Sequence, residues 1–213
     1  MAAAALLSGC DYLRPFDQVC EARLKPAQIK VAAEPVGHAT DFSLSSAQLS
    51  QRGVESAGRM VLGLIETKLS SSLSASANGV VKPLSGRYCM RPSLQVRLAF
   101  DPTTIYVASE YPKGSCRFDI TMGHEMKHLR VYDDFLVKLA AQLETELQAK
   151  FGNRIHYFAD VGAGGKFLDD TTRTLLGPYL ESGMAQVNKL QAAVDSPEEY
   201  FRLDQFQARC SEN

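Results

Sequence analysis

The sequence predicts an α+β protein in which a small antiparallel sheet packs against long helices. Residues 93–100, SLQVRLAF, alternate strictly between apolar and polar side chains, which is typical of a half-buried strand. From Leu129 to Leu147 apolar residues recur at steps of three and four, which is typical of a long amphipathic helix. The chain has 213 residues and 45% hydrophobic content, which suits one compact domain.

The charges of the chain are balanced, with 23 Lys and Arg residues against 24 Asp and Glu residues. No block of like charge stands out along the sequence. Since electrostatic binding to nucleic acid or to an anionic membrane surface depends on a basic patch, the composition points to neither partner.

The first ten residues, MAAAALLSGC, resemble the lipobox of bacterial lipoproteins, in which the cysteine becomes the lipidated N-terminus. The resemblance implies that residues 1–10 are the remnant of an export signal and that acyl chains on Cys10 anchor the protein to a membrane. Asp11 follows, which in enterobacterial lipoproteins favours the inner membrane, so the implied location is its periplasmic side. The apolar run is too short to span a bilayer and no basic stretch precedes it, so we expect the natural start further upstream. A disordered, alanine-rich N-terminus is the alternative interpretation.

Residues 11–27 contain two prolines and no clear periodicity, so we expect a tether and a loop that lead into one domain over residues 28–213. An even number of cysteines remains beyond Cys10, and in an exported chain this predicts two disulfides. They are Cys20, Cys89, Cys116 and Cys210. The absence of a Cys-x-x-Cys pair argues against a cysteine metal cluster.

The sequence DPT at 101–103 predicts a turn, after which residues 104–111 would return antiparallel to the strand at 93–100. In that register Cys89 lies opposite about residue 114 or 115, next to Cys116. The expected pairing is therefore Cys89 with Cys116, which leaves Cys20 to pair with Cys210.

Periodicity and capping signals predict the other elements. We expect a short strand that begins near Ile29, a helix from Val54 to Leu69 and a loop over 70–79. A long helix should start with Asp119 as its N-cap and end at Gly152. The glycine-bearing segment 152–167 is expected to be a loop, either a plain connection or a hinged lid. Two helices follow, one over 176–194 and one that Ser196 caps, with Pro197 at its first position.

The sequence HEMKH, from His124 to His128, bears the strongest functional signal. Two histidines four residues apart project from one face of a helix and can share a metal ion. Glu125 lies beside the first histidine, where it can take a proton from an activated water. The motif and its place after strands resemble the active-site helix of the zincin metallopeptidases. The resemblance implies Zn²⁺ as cofactor and a minimal zincin-like fold with an antiparallel downstream helix, whereas the alternative is a solvated helix face.

A catalytic zinc needs a third protein ligand. Asp134, at the metzincin position, points about 240° away from His128 around the helix. His156 follows a helix that carries the chain about 34 Å away from His128, and is excluded unless that helix breaks early. Glu181 is within reach on the next helix, and the stretch from Glu181 to Ala185 resembles the Glu-x-x-x-Ala element that supplies the third ligand in gluzincins. The resemblance thus implies the ligands His124, His128 and Glu181, and a surface glutamate is the alternative for Glu181.

These features predict zinc-dependent hydrolysis of peptide bonds in a peptide or protein substrate, at the bacterial cell envelope, by a water that zinc and Glu125 activate. Tyr200 and His156 are candidates for oxyanion stabilisation by residue type alone. The alternative function is a non-catalytic envelope lipoprotein, with structural zinc or a degenerate peptidase fold, that binds peptides or cell-wall partners.

Overall fold

The computed structural model describes residues 14–52 and 60–210, so the lipobox with Cys10 and Asp11 lies outside the described residues. The helices span Phe16–Arg23 (α1), Ser46–Arg52 (α2), Cys116–Leu147 (α3), Val161–Thr174 (α4), Gly177–Val194 (α5) and Pro197–Arg209 (α6), and a π-helical turn follows α3 at Gln148–Gly152. The strands span Ile29–Ala33 (β1), Ala39–Asp41 (β2), Gly63–Val81 (β3), Tyr88–Val107 (β4) and His156–Phe158 (β5). These elements confirm the predicted α+β class. Across the two described ranges, no helix is long and apolar enough to cross a membrane.

The described residues form two compact units, each built from three separate stretches of the chain. One unit comprises residues 14–31, Ser72–Val96 and Ala141–Gly177. The other comprises the stretch 32–71, of which 32–52 and 60–71 are described, together with residues 97–140 and 178–210. The division at residue 27 and the single domain over residues 28–213 stay predictions. The HEMKH motif and all residues of the site described below belong to the second unit.

Strand β4 is the central strand of a mixed five-stranded sheet, in which it pairs with all four others. β2 runs parallel to it, with Ala39 opposite Thr104, and β5 runs antiparallel, with Tyr88 opposite Phe158. The predicted strand near Ile29 is confirmed as β1. The sheet is larger than the predicted hairpin because short segments distant in the sequence add to a single long strand.

The predicted turn at Asp101 and Pro102 is wrong, because β4 continues through both residues. From Met90 to Phe100 the even-numbered side chains are buried, and from Thr103 onwards the odd-numbered ones are, so the two exposed residues between them shift the alternation by one. Proline has no N–H to give to the ladder. The Thr103 hydroxyl compensates locally, because it donates to the carbonyl of Phe100 at 2.9 Å and lies 2.6 Å from the Thr67 hydroxyl.

The predictions of a helix over 54–69 and a loop over 70–79 are also wrong where the structure describes these residues. From Gly63 the chain is strand β3, which includes the serine-rich stretch, and residues 53–59 lie outside the described part. β3 and β4 form a hairpin around 82–87, where the Lys82 N–H donates to the Arg87 carbonyl at 2.7 Å. Pairing with β4 therefore overrides the helical spacing of a few apolar residues.

The prediction of two disulfides is confirmed, but the predicted pairing is wrong. The bonds join Cys20 to Cys89 and Cys116 to Cys210. The expected pairing was based on a hairpin that turns at 101–103. Because β4 continues through these residues, that hairpin does not form and Cys89 does not lie opposite Cys116. Cys20 lies on α1, so the segment predicted as a tether contains a helix, and the buried cluster there consists of Phe16, Cys20, Leu24 and Cys89.

Helix α3 confirms the long amphipathic helix, and its predicted stripe from Leu129 to Leu147 is buried. The N-cap, however, is Ser115 and not Asp119, because the Ser115 hydroxyl accepts the N–H of Phe118 at 3.2 Å. Asp119 lies in the first turn, where a negative charge favours the positive end of the helix dipole. The helix thus begins one turn earlier than predicted.

Segment 152–167 is not the predicted loop. It contains β5 and the start of α4, which Asp160 caps by accepting the N–H of Ala163 at 2.8 Å. Gly164 packs on the ring of Tyr88, where an added Cβ would lie 2.6 Å from a ring carbon. This glycine therefore permits close packing of α4 and does not act as a hinge.

The two C-terminal helices confirm their predictions. α5 ends at Val194, and α6 starts with Pro197 after Ser196, whose hydroxyl accepts the N–H of Glu199 at 3.2 Å. Gly183 of α5 packs against Leu139 of α3, and an added Cβ would lie 3.2 Å from a Leu139 methyl carbon. This contact places the N-terminal half of α5 against the C-terminal half of α3.

Candidate metal centre

The two histidines of the motif meet on the buried face of α3. His124 and His128 are 7% and 8% exposed, and their Nε2 atoms lie 3.2 Å apart. The spacing of four residues brings both rings to one side of the helix, as the sequence predicts. Two imidazole nitrogens so close can face one shared cation or share one proton.

Asp195 supplies a third donor at the same point. Its Oδ1 lies 3.1 Å from Nε2 of His124 and 3.2 Å from Nε2 of His128. It is located between α5 and α6, and the two histidines and Asp195 form a group that could hold a metal ion. Hydrogen bonds with His124, His128 and Tyr200 hold the pKa of this carboxyl well below its ordinary value although burial opposes them, so it is a carboxylate at neutral pH.

The spacing of these three atoms fits a tetrahedral ion. Zinc binds histidine nitrogen and carboxylate oxygen at about 2.0–2.2 Å, so neighbouring ligand atoms around it lie about 3.3–3.6 Å apart. The three donor atoms are separated by 3.1, 3.2 and 3.2 Å. These separations are slightly shorter than that spacing, and all three residues line one cleft, so together they could hold such an ion.

Glu181, the predicted third ligand, does not lie with these donors. It is exposed, and its neighbour Gly183 packs against Leu139, which is about 16 Å further along α3 than His128. On α5 the residue that contacts His128 is Gln191. It lies about 15 Å further along that helix than Glu181. The structure therefore replaces Glu181 by Asp195 as the third member of the group.

Gln191 fixes the orientation of His128. Its side-chain oxygen lies 2.6 Å from Nδ1 of His128, and its side-chain nitrogen donates to the backbone carbonyl of the same residue at 3.1 Å. An amide oxygen only accepts, so Nδ1 carries a proton, and Nε2, which faces Asp195 and His124, is the nitrogen that could bind a metal when the ring is neutral. This arrangement, in which the second nitrogen of a histidine is held by a neighbouring acceptor, is typical of metal-ligating histidines.

Glu199 faces the other histidine. Its Oε1 lies 3.6 Å from Nδ1 of His124, a buried atom that has no hydrogen-bond partner among the described residues. Glu199 is only 5% exposed, and it forms ion pairs with Lys127 and Arg202. A carboxylate buried with two cations is a rigid acceptor, so it can take a proton from Nδ1 of His124 once that ring moves by a few tenths of an ångström.

Glu125 lies between the two histidines along α3 and is 4% exposed. Burial raises the pKa of Glu125 to about 7, against the opposing charges of His128 and His124. In His128, burial disfavours the charged form, but the hydrogen bond with Asp195 and the charge of Glu125 outweigh it and raise its pKa. A carboxyl group that titrates near neutral pH can accept and return a proton during a reaction.

The donors open into a cleft of about 950 Å³. One wall is formed by residues 60–65 at the start of β3, another by α6, and the site residues of α3 lie between them. The residues of this cleft are largely apolar outside the donor group, and they include Leu62, Leu64, Tyr111, Tyr132 and Leu203. A cleft with this lining can hold apolar side chains beside a polar reaction centre.

Tyr200 is the one oxyanion candidate that the structure brings to the site. It lines the cleft, and its hydroxyl donates to Oδ1 of Asp195 at 3.0 Å. His156 lies on β5 in the other unit, where its ring stacks against Phe167 with centroids 4.8 Å apart, and it is not among the lining residues.

Sequence reasoning missed Asp195, Gln191 and Glu199. A signal for them was present in the helix lengths, because α5 is about 27 Å long and, packed antiparallel on α3, brings its last turn to the histidines. That signal was hidden by the expectation that a loop over 152–167 covers about 15 Å of the way back to the histidines, which placed Glu181 and not the end of α5 beside them. No protein-family model matches this chain, and no curated protein and no solved structure shows detectable similarity to it.

Proposed function

We propose that this protein is a zinc-dependent peptidase whose metal is held by His124, His128 and Asp195. The observation that carries the proposal is the convergence of Nε2, Nε2 and Oδ1 within 3.2 Å of one another, next to the buried Glu125 and at the wall of a cleft. Structural zinc sites are closed by four protein ligands, whereas catalytic sites have three and an open position. A three-donor group that faces a cleft matches the catalytic pattern.

The donor chemistry favours zinc among the divalent ions. Two imidazoles and one carboxylate suit zinc, whereas magnesium and calcium prefer oxygen donors alone. The buried orphan nitrogen of His124 supports a bound ion as well, because a ring that binds metal through Nε2 carries its proton on Nδ1 and can donate it to Glu199.

A zinc ion bound there would act as a Lewis acid on a peptide carbonyl and would lower the pKa of a water molecule. Glu125 then takes a proton from the attacking water and passes it to the nitrogen of the leaving amine. The hydroxyl of Tyr200 donates its one proton to Asp195 in this structure, and it would have to turn away from Asp195 to donate to the oxygen that becomes negative in the transition state.

The substrate that fits this cleft is an extended segment of a peptide or protein. Within the described residues, β3 pairs with β4 only, so the other edge of β3 presents its backbone groups. The first residues of β3 line the cleft beside Glu125. An extended chain can add to such an edge as a further strand and place one of its peptide bonds at the donor group.

The location we propose is the extracytoplasmic side of the envelope. Two disulfides are typical of proteins that fold in an oxidising compartment. We propose in addition that Cys10 carries a lipid anchor. Labelling of the full chain with radioactive palmitate in a bacterial host tests this point: label in the wild type that is absent from Cys10→Ser is expected, and equal label in both proteins contradicts it.

The function is tested by zinc content and by cleavage of fluorescein-labelled casein, measured on the same preparations. We expect about one zinc per chain in the wild type and in Glu125→Gln, with cleavage lost only in the latter. Asp195→Asn should lose zinc, whereas Glu181→Gln, on an exposed helix position, should keep both zinc and activity. Full cleavage by Glu125→Gln would remove Glu125 from the mechanism.

Two other outcomes separate the proposed enzyme from a binding protein. Wild-type protein that binds zinc but cleaves neither casein nor a random peptide mixture would indicate a non-catalytic metal site. Wild-type protein that takes up no zinc after incubation would leave HEMKH as a buried polar network, and the peptidase proposal would fall.

A further inference from the structure

The first residue of β3 lies against the carboxylate of Glu125. A Cβ built on Gly63 would be 2.5 Å from Oε1 of Glu125, 2.9 Å from its Cγ and 2.7 Å from the methyl carbon of Thr121. All three distances are shorter than any normal contact between heavy atoms. The backbone of β3 therefore approaches α3 at this point as closely as a residue without a side chain allows.

Gly63 is needed here for space and not for conformation. The glycines with positive φ in the described chain are Gly86 and Gly114, so the backbone of Gly63 is open to any residue. Glycine weakens a strand, and inside one it often marks a site where another group comes close. At Gly63 that group is the side chain proposed to transfer the proton.

The environment of Glu125 depends on this approach. The residue is 4% exposed, and β3 provides the surface that covers its Oε1. A side chain at position 63 must push the carboxylate away, because the end of a glutamate moves more easily than the backbone of a strand that is hydrogen-bonded at Leu62 to Ala108 (2.9 Å). The donors His124, His128 and Asp195 are not among the atoms that the added Cβ would meet.

We propose that Gly63 is a positioning residue that lets β3 hold the carboxylate of Glu125 in its working place. This inference rests on the proposed peptidase function. It separates two parts of the site: metal binding depends on α3 and Asp195, and placement of the proton-transfer group depends on the start of β3. A methyl group at position 63 should therefore harm proton transfer and spare the metal.

The first experiment is a double-mutant cycle on stability, which needs no substrate. We expect Gly63→Ala in the wild-type background to raise the unfolding equilibrium constant of the metal-free full chain by about tenfold, measured in urea. In the Glu125→Ala background the same change should cost less, because the colliding carboxylate is gone and only the contact with the Thr121 methyl remains. An equal cost in both backgrounds would overturn the proposal.

A folding failure remains informative in this design. If Gly63→Ala does not fold but Gly63→Ala with Glu125→Ala does, the contact is with Glu125 as proposed. If neither folds, the collision is with something other than Glu125 and the proposal falls. Gly37→Ala and Gly123→Ala are the controls, because an added Cβ would meet nothing within 4 Å at either position.

The second experiment measures zinc and casein cleavage in Gly63→Ala. We expect zinc content like that of the wild type and cleavage reduced by about 100-fold, the effect of a catalytic group displaced by about 1 Å. Loss of zinc, or wild-type cleavage, would overturn the positioning role. If the wild type itself cleaves nothing, the peptidase function fails, and the stability cycle still decides whether Gly63 holds Glu125.

Discussion

Oε1 of Glu199 lies 3.6 Å from Nδ1 of His124, and both atoms are buried. The carboxylate is fixed by ion pairs to Lys127 and Arg202 and by the start of α6, where Ser196 accepts the N–H of Glu199. Glu199 is thus the acceptor that can hold His124 in the tautomer with Nε2 free for metal, as Gln191 does for His128.

We expect Glu199→Gln to weaken zinc binding by about 10- to 100-fold, because a neutral amide is a poorer acceptor for the imidazole proton than a carboxylate. The zinc dissociation constant is measured by competition with a chromogenic chelator. Glu198→Gln, the exposed neighbour on α6, is the matched control and should bind zinc like the wild type.

Weaker zinc binding in Glu199→Gln could also come from loss of the ion pairs of Glu199. The variant Arg202→Ala distinguishes this cause from loss of the acceptor for the His124 proton. This variant breaks an ion pair with Glu199 but keeps its carboxylate. If Arg202→Ala loses as much zinc affinity as Glu199→Gln, the ion pairs of Glu199 act only by holding α6 in place. The proposed role of Glu199 in orienting His124 would then be wrong.

The Cys116–Cys210 disulfide should matter for zinc binding in a way that the Cys20–Cys89 disulfide does not. It joins the first residue of α3 to the residue after α6, the two helices that flank the donors. The bonds span 94 and 69 residues, so chain entropy gives both a similar stabilisation of about 4–5 kcal/mol.

We therefore compare two double variants, each of which removes one disulfide. Both variants, Cys116→Ser/Cys210→Ser and Cys20→Ser/Cys89→Ser, should lower the urea midpoint by similar amounts. Only the first pair should also weaken zinc binding of the protein that remains folded, because α6 carries Glu199 and follows Asp195. Zinc affinity is measured in low urea. Equal affinity in the two double variants would show that the Cys116–Cys210 disulfide does not support zinc binding.

Leu136 and Val137 provide a matched pair for the core of the second unit. They are neighbours on α3, but Leu136 is 1% exposed and Val137 is 63% exposed. Leu136→Ala should lower the free energy of unfolding by about 2–5 kcal/mol, since it loses buried apolar area and leaves a cavity. Val137→Ala should change it by no more than about 0.5 kcal/mol. Similar losses in urea denaturation would mean that the buried face of α3 is assigned wrongly.

Glu110 should make stability depend on acid pH. Its pKa is lowered by its own backbone N–H and by the hydroxyl and N–H of Ser46 at the start of α2, which lie 2.8 and 3.0 Å from Oε1. Because the folded pKa is below the ordinary value of 4.5, the contribution is complete above that pH and disappears as the pH falls through the folded pKa.

The expected result is a lower urea midpoint for Glu110→Gln than for the wild type at pH 7, and a difference that shrinks towards pH 3. Glu34→Gln is the comparison, because Glu34 is paired with Arg97 at an exposed position. A difference between wild type and Glu110→Gln that is the same at both pH values would show that the charge of Glu110 is not the cause.

The parts of the fold that the sequence predicted well depend on local signals. The apolar stripe of α3, the cap of α6 at Ser196 and the strand near Ile29 each lie in one short stretch with its own periodicity or capping residue. The predictions that failed needed partners distant in the sequence. β3 is a strand because β4 pairs with it, and the disulfide partners followed from that pairing and not from the spacing of the cysteines.

The same division applies to the candidate site. The sequence alone determined that His124 and His128 share one face of a helix with Glu125 between them, because the helical repeat fixes neighbours four residues apart. Only the tertiary structure decided that Asp195 and not Glu181 completes the group, and that Gly63 lies on Glu125. Those contacts depend on where separate helices and strands end in space, and that is set by the packing of the whole unit.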